Sequence, residues 1–192
     1  MFGGTFDPVH VGHLILAQEA AALLGLDRLL FVPANRPAHK RAPRLEPVEH
    51  RIAMLRRATR GQPRLRVSRI EADRGGVSYT VHTLESLHRS LRAELFFLMG
   101  QDSLEEFSGW REPERILDLA RLAVIPRGER PPRVPPALRG RVVLVRAPRI
   151  GVSSTELRRR LRLGLPASYW TPDAVLRYIE RHGLYGTRRR PR

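Results

Sequence analysis

Apolar residues gather along this chain in short runs at 28–32, 65–70, 95–99, 122–125 and 142–145. Runs of that length predict strands buried on both faces, as in a parallel sheet. Between them the period changes to that of a helix. Residues 11–24 carry Leu14, Ala17, Ala21 and Leu24 on one face, and 49–58 and 80–91 repeat the period more weakly. Alternating strands and helices predict an α/β fold, a Rossmann-like doubly wound and mainly parallel sheet with helices on both faces. Residues 126–136, dense in Pro, Arg and Gly, predict an exposed loop. One further strand precedes a small helical C-terminal part at 154–163 and 172–182, the second helix with Thr171 as N-cap and Pro172 in its first position. Such a sheet needs a central strand ahead of the turn at Gly3-Gly4, yet only Met1 and Phe2 precede it. Either the true start lies upstream or the first strand is truncated.

At 192 residues with 42% hydrophobic and 28% charged side chains, the chain reads as one domain over 1–187, followed by a basic tail at 188–192 expected to be solvated and disordered. No stretch approaches the roughly 18 apolar residues of a membrane span, and the start lacks a secretory layout, so a cytoplasmic protein is expected. The absence of cysteine excludes disulfides, thiolate zinc sites and cysteine nucleophiles. The formal net charge of +16 suggests nucleic acid when taken alone. It is spread along the chain, however, and is nearly all arginine, with Lys40 the only lysine. Genome-wide bias or thermal adaptation explains that usage equally well, and nucleic acid is not the expected partner.

The richest chemistry opens the chain: Gly3-Gly4-Thr5-Phe6-Asp7-Pro8-Val9-His10-Val11-Gly12-His13. Small residues let a backbone approach a ligand, and the start of a helix offers N–H groups and a dipole to a phosphate. His10 and His13 can donate to phosphate oxygens as charge develops. Two other readings stay open here, a plain turn with incidental histidines and a metal site of Asp7, His10 and His13. No Gly-x-x-x-x-Gly-Lys-Ser/Thr element exists. Near the other end, Gly151-Val152-Ser153-Ser154-Thr155-Glu156-Leu157-Arg158 contains a capping box of Ser153 and Glu156. Its hydroxyls, free N–H groups and Arg158 also suit a second phosphate clamp facing the same crevice.

Together, Gly-Gly-Thr-Phe-Asp-Pro-x-His-x-Gly-His and the distant Ser-Ser-Thr-x-Leu-Arg resemble the nucleotidyltransferase superfamily of the His-x-Gly-His type. Further blocks resemble the bacterial nicotinate-nucleotide adenylyltransferases: Pro33-Ala34-Asn35-Arg36-Pro37-Ala38-His39-Lys40, Ser78-Tyr79-Thr80-Val81-His82-Thr83-Leu84, Gly100-Gln101-Asp102-Ser103 with Trp110 beyond, and Tyr178-Ile179 to Leu184-Tyr185. The resemblance covers nearly the whole chain. It departs at the short first strand and at His82, where that family usually carries an acidic residue.

The resemblance implies adenylyl transfer from ATP to nicotinate mononucleotide, releasing pyrophosphate, in the making of NAD. It implies that Gly3, Gly4, Thr5, Phe6, Gly100 and Asp102 lie against ATP, with His10 and His13 on its phosphates and Ser154, Thr155 and Arg158 opposite. Asn35, Lys40, Tyr79, Thr80, Trp110 and Arg127 fall to the acceptor, the aromatics on the pyridine ring and the basic residues on phosphate. Each has a plainer reading too: Asp102 as a turn cap, Trp110 as core, and Lys40 and Arg127 as ordinary surface charges. Mg²⁺ is expected to travel with the ATP phosphates, with no protein ligand named. A homo-oligomer is left open. The alternatives are a sister enzyme acting on nicotinamide mononucleotide or phosphopantetheine, and a non-catalytic nucleotide or nucleic-acid binding protein.

Overall fold

The computed structural model describes residues 1–38, 45–126 and 134–187. In chain order its elements are β1 (Phe2–Gly4), α1 (Val11–Leu23), β2 (Leu29–Pro33), β3 (Arg36–Pro37), α2 (Val48–Ala58), β4 (Leu65–Val67), α3 (Ile70–Arg74), β5 (Val77–Ser78) and α4 (Thr80–Ser90). There follow β6 (Phe96–Gly100), α5 (Gln101–Glu105), α6 (Pro113–Leu119), β7 (Arg121–Ile125), β8 (Val142–Leu144), α7 (Ser154–Arg162) and α8 (Asp173–His182).

Among the described residues six strands form one sheet in the order β4-β2-β1-β6-β7-β8. Every pairing is parallel. Because side chains alternate across a strand, the apolar runs supply two cores. Phe31, Leu98 and Ala123 face Ala17 and Ala20 of α1, Met54 and Leu55 of α2, Leu157 of α7, and Val175 and Ile179 of α8. Their neighbours Val32, Phe97, Met99, Leu122 and Val124 face the other way, onto Val81, Leu84 and Leu87 of α4 and Ile116 of α6. A second, two-stranded sheet pairs β3 with β5, opposing Arg36 to Val77 and Pro37 to Ser78.

The central strand is present, three residues long. Phe2 lies opposite Phe31 on one side and Leu98 on the other. The Met1 carbonyl extends the pairing by accepting from Leu98 N at 2.8 Å.

Three local expectations are corrected. The strand expected over 65–70 ends at Val67, and Ile70 opens α3. Thr171 does not cap α8: Pro172 occupies the cap and the helix begins at Asp173. The buried Thr171 hydroxyl donates instead to the Val9 carbonyl at 2.8 Å. Of the capping box on α7 only half forms: Ser153 Oγ accepts from Glu156 N at 3.2 Å, while the Glu156 carboxylate takes two 2.7 Å bonds from Arg159. The tail at 188–192, Lys40, Arg127 and most of the loop at 126–136 lie outside the described residues.

Candidate functional site

Strand order reverses beside β1, since the chain leaves it toward β2 while β6 leads away to β7. Open α/β sheets bind ligands at the carboxyl ends of strands at such a point. A cleft of 460 Å³ lies there. Its walls come from Phe2, from His10 and Gly12 after β1, from Gly100 to Ser103 after β6, from Ile125 and Pro126 after β7, and from 148–152 ahead of α7. Of the sequence-based candidates, His10, Gly100 and Asp102 line it directly. His13, Gly3, Gly4, Thr5, Phe6, Ser154, Thr155 and Arg158 are not part of that lining.

The histidine turn is built from behind by aromatic packing. Phe6 is buried, at a left-handed φ of 48°, with its ring edge-on to Phe2, Phe31 and His13 at 5.4, 5.4 and 5.0 Å. Gly4 leaves it room, because a Cβ there would lie 3.0 Å from the Phe6 ring. His10 caps α1, and its N–H donates to His13 Nδ1 at 3.2 Å. A neutral imidazole that accepts at Nδ1 carries its proton on Nε2, which makes His13 a donor at that atom. The two imidazoles stack at 3.6 Å. Burial holds the His10 pKa down at about 4, so at neutral pH this ring is an uncharged hydrogen-bonding group.

Helix α7 closes on this turn. Ser154 Oγ donates to the Pro8 carbonyl at 2.9 Å, and Arg158 donates to the Asp7 carbonyl at 2.6 Å and to Thr155 Oγ1 at 3.3 Å. A guanidinium has five N–H donors, so most of those of Arg158 stay available beyond these two bonds. The alternative metal triad of Asp7, His10 and His13 does not assemble. The Asp7 carboxylate is buried away from the imidazoles, accepting from Tyr185 Oη at 2.6 Å and Glu46 N at 3.4 Å. Among the described residues no group of three or more His, Cys, Asp or Glu side chains could hold a metal ion.

Of the acceptor candidates that are described, Asn35, Tyr79 and Thr80 adjoin the small sheet. Asn35 N donates to Ser78 Oγ and Asn35 Nδ2 to the Gly76 carbonyl, both at 2.9 Å, which binds the loop after β2 to the segment entering α4. Tyr79 caps α4 and Thr80 opens it, and no side chain caps that helix start. The Arg111 guanidinium covers the Tyr79 ring at 4.8 Å. Trp110 beside it rests on Phe97 and Phe107 at 5.8 and 5.7 Å. Its ring is therefore part of the core and part of this wall. His82 points along its own helix, 3.7 Å from Glu85.

Sequence reasoning missed Arg51 and Arg149. Arg51 is 1% exposed and donates to the carbonyls of Glu46 and Thr5 at 2.9 Å and of Asn35 at 3.3 Å, tying the glycine turn to the acceptor loop. Its signal was there: beside Ile52, and between Val48 and Leu55, Arg51 occupies a core position of the helical period. Arg149 lines the cleft. Only its place just ahead of the Gly-Val-Ser-Ser segment marked it.

Residues 1–160 match the model of the cytidylyltransferase-like family. The chain is similar to a protein of Roseiflexus sp. (strain RS-1) named "probable nicotinate-nucleotide adenylyltransferase", 46% identical over 191 residues and 96% of each chain. It is equally similar to one of the same name in Thermus thermophilus, 46% identical over 96% of this chain and 97% of that one. In fold it is similar to the nicotinic acid mononucleotide adenylyltransferase of Plasmodium falciparum solved in complex with NaAD, with a TM-score of 0.75 at 18% identity, covering 97% of this chain and 96% of that one. No described helix is long and apolar enough to cross a membrane.

Proposed function

The chain belongs to the nicotinate-nucleotide adenylyltransferases, and from that membership and the geometry of the cleft we propose how it transfers an adenylyl group from ATP to nicotinate mononucleotide. The observation that carries the reading is His10, which lines the cleft over the strand reversal with His13 stacked on it. An uncharged His10 and a His13 with its proton on Nε2 are hydrogen-bonding groups that suit the phosphates of ATP, and suit most the transition state in which charge collects on the departing pyrophosphate.

An oxygen of the acceptor phosphate attacks the α-phosphorus of ATP in line. The bond from that phosphorus to the bridging oxygen breaks, and pyrophosphate leaves with the electron pair. The nucleophile is already an anion, so no side chain need remove a proton, and catalysis is placement plus charge stabilisation. His10 and His13 hold the phosphates from one side, and Ser154, Thr155 and Arg158 from the other. Gly100 and Asp102 border the adenosine, while Gly3 to Phe6 shape the floor beneath it. Lys40 and Arg127 are assigned to phosphate.

Tyr79 and Trp110 enclose the pyridine ring, and Thr80 with the uncapped N–H groups of α4 meets its carboxylate. Asn35 fixes the loop opposite. Among the described residues Asp102 is the one carboxylate in the lining of the cleft, which suits a cation that arrives on the substrate rather than a resident one. Mg²⁺ carried by ATP supplies charge neutralisation at the phosphates. ATP as co-substrate suits a cytoplasmic reaction.

The test is product formation: ATP and nicotinate mononucleotide should yield nicotinate adenine dinucleotide and pyrophosphate in equal amounts. His13→Ala should lower kcat about a hundredfold with the fold intact, as loss of a transition-state donor does. Unequal products, or unchanged turnover in the variant, would refute the reading.

A further inference from the structure

We propose that Thr171 and Tyr185 are positioning residues that set the histidine turn for adenylyl transfer, an inference that rests on the roles just given to His10 and His13.

The turn is held almost atom by atom from the far end of the chain. The Asp7 carbonyl accepts from Arg158 at 2.6 Å, the Pro8 carbonyl from Ser154 at 2.9 Å and the Val9 carbonyl from Thr171 at 2.8 Å. Val11 N donates to the Trp170 carbonyl at 2.9 Å, and the Asp7 carboxylate accepts from Tyr185 at 2.6 Å. His10 sits in the middle of this sequence of bonds, so its place depends on groups that lie about 150 residues and more away along the chain.

Arg158 and Ser154 are already assigned to phosphate, so their substitution mixes two effects. Thr171 and Tyr185 separate them. Both are buried and neither lines the cleft. They also lie beyond the 160 residues that match the family model. Tyr185 is itself over-determined: its backbone takes a left-handed φ of 56°, its N–H meets Glu46 Oε1 at 3.4 Å, and its hydroxyl is aimed at Asp7. A bulky residue stays in that region only where its surroundings insist on it. Burial and the adjoining carboxylate push the Tyr185 hydroxyl far above its ordinary pKa, so it remains a donor throughout the working range.

Removing either hydroxyl frees one end of the turn while leaving every side chain that lines the cleft chemically unchanged. The experiment compares Tyr185→Phe, Thr171→Val and Thr171→Ser in the full chain. Three readouts serve: kcat and KM for both substrates, the NMR titration of His10 without substrate, and the melting transition. Misplaced transition-state donors should lower kcat about tenfold in Tyr185→Phe and Thr171→Val, with both KM values within about threefold. The His10 titration should climb from about 4 toward its ordinary 6.5 as water reaches the loosened ring. Thr171→Ser, which keeps the hydroxyl, should restore both. Wild-type kcat with an unmoved His10 in the folded variants would overturn the proposal. So would activity lost only in step with the melting transition and not recovered by serine. A wild-type chain that makes no dinucleotide would sink the functional reading instead, and the His10 titration would still judge the positioning.

Discussion

Gly12→Ala adds one methyl group at a place where the geometry forecasts both its structural and its catalytic effect. Gly12 is buried in the first turn of α1. A Cβ there would lie 3.0 Å from His10 Nδ1, 3.1 Å from His10 Cε1 and 3.3 Å from Ile150 Cγ2. These are tighter than ordinary contact, so His10 has to yield by a few tenths of an ångström. It is stacked on His13 at 3.6 Å and takes that ring with it. Overpacking of this kind costs about 1–3 kcal/mol, and alanine's better helix propensity returns about 1 kcal/mol. A net loss of about 0–2 kcal/mol lowers Tm by no more than roughly 8 °C in a chain of this size. A catalytic effect accompanies it, since misplacing a reacting group by about 1 Å can cost a hundredfold. Steady-state pyrophosphate release at saturating ATP and nicotinate mononucleotide should show kcat down several-fold, toward about tenfold, with Tm lowered by no more than that roughly 8 °C. Wild-type kcat in Gly12→Ala would refute the claim that His10 must stand where it does.

Arg51→Met keeps the bulk of the side chain but leaves the carbonyls of Thr5, Asn35 and Glu46 without their donor. Denaturant unfolding should report a loss of about 2–5 kcal/mol, and a loss under about 1 kcal/mol would show that the buried guanidinium contributes little. Acid should also weaken the fold through His10. Its folded pKa of about 4 lies below the ordinary 6.5, so the unfolded chain takes up the proton first and stability falls as pH drops between those values. The loss reaches roughly 3 kcal/mol and is absent above that window. His10→Asn should flatten this part of the pH profile, and an unchanged slope would contradict the burial of the ring.

Elements whose signal is local were legible in the sequence. The run at 28–32 became β2 and that at 95–99 became β6, each displaced by about one residue, as boundaries generally are. The run at 65–70 was overread because, among the described residues, β4 pairs with β2 alone, and Ile70 spends its apolar side chain on a helix instead. Thr171 looked like a cap by residue type, but its hydroxyl found a carbonyl 162 positions away. In the same way the histidine turn could be read from its own eleven residues, whereas its supports could not. Tyr185 meets Asp7 across 178 positions, and no periodicity or turn chemistry encodes such a contact. Arg51 was hidden for a related reason: its charge suggested solvent, while its three acceptors are main-chain carbonyls that a sequence does not display.

The central claim is adenylyl transfer to the acid form of the pyridine mononucleotide, and kcat/KM for nicotinate and nicotinamide mononucleotides, measured side by side with ATP, tests it most directly. If donors at the start of α4 meet this group, as proposed, they satisfy both oxygens of a carboxylate, whereas an amide turns its own N–H₂ toward one of them and leaves both groups unpaired. Each such group costs about 1–3 kcal/mol, so nicotinate mononucleotide should be preferred by about tenfold to more than a hundredfold. Equal values, or a preference for the amide, would contradict the account.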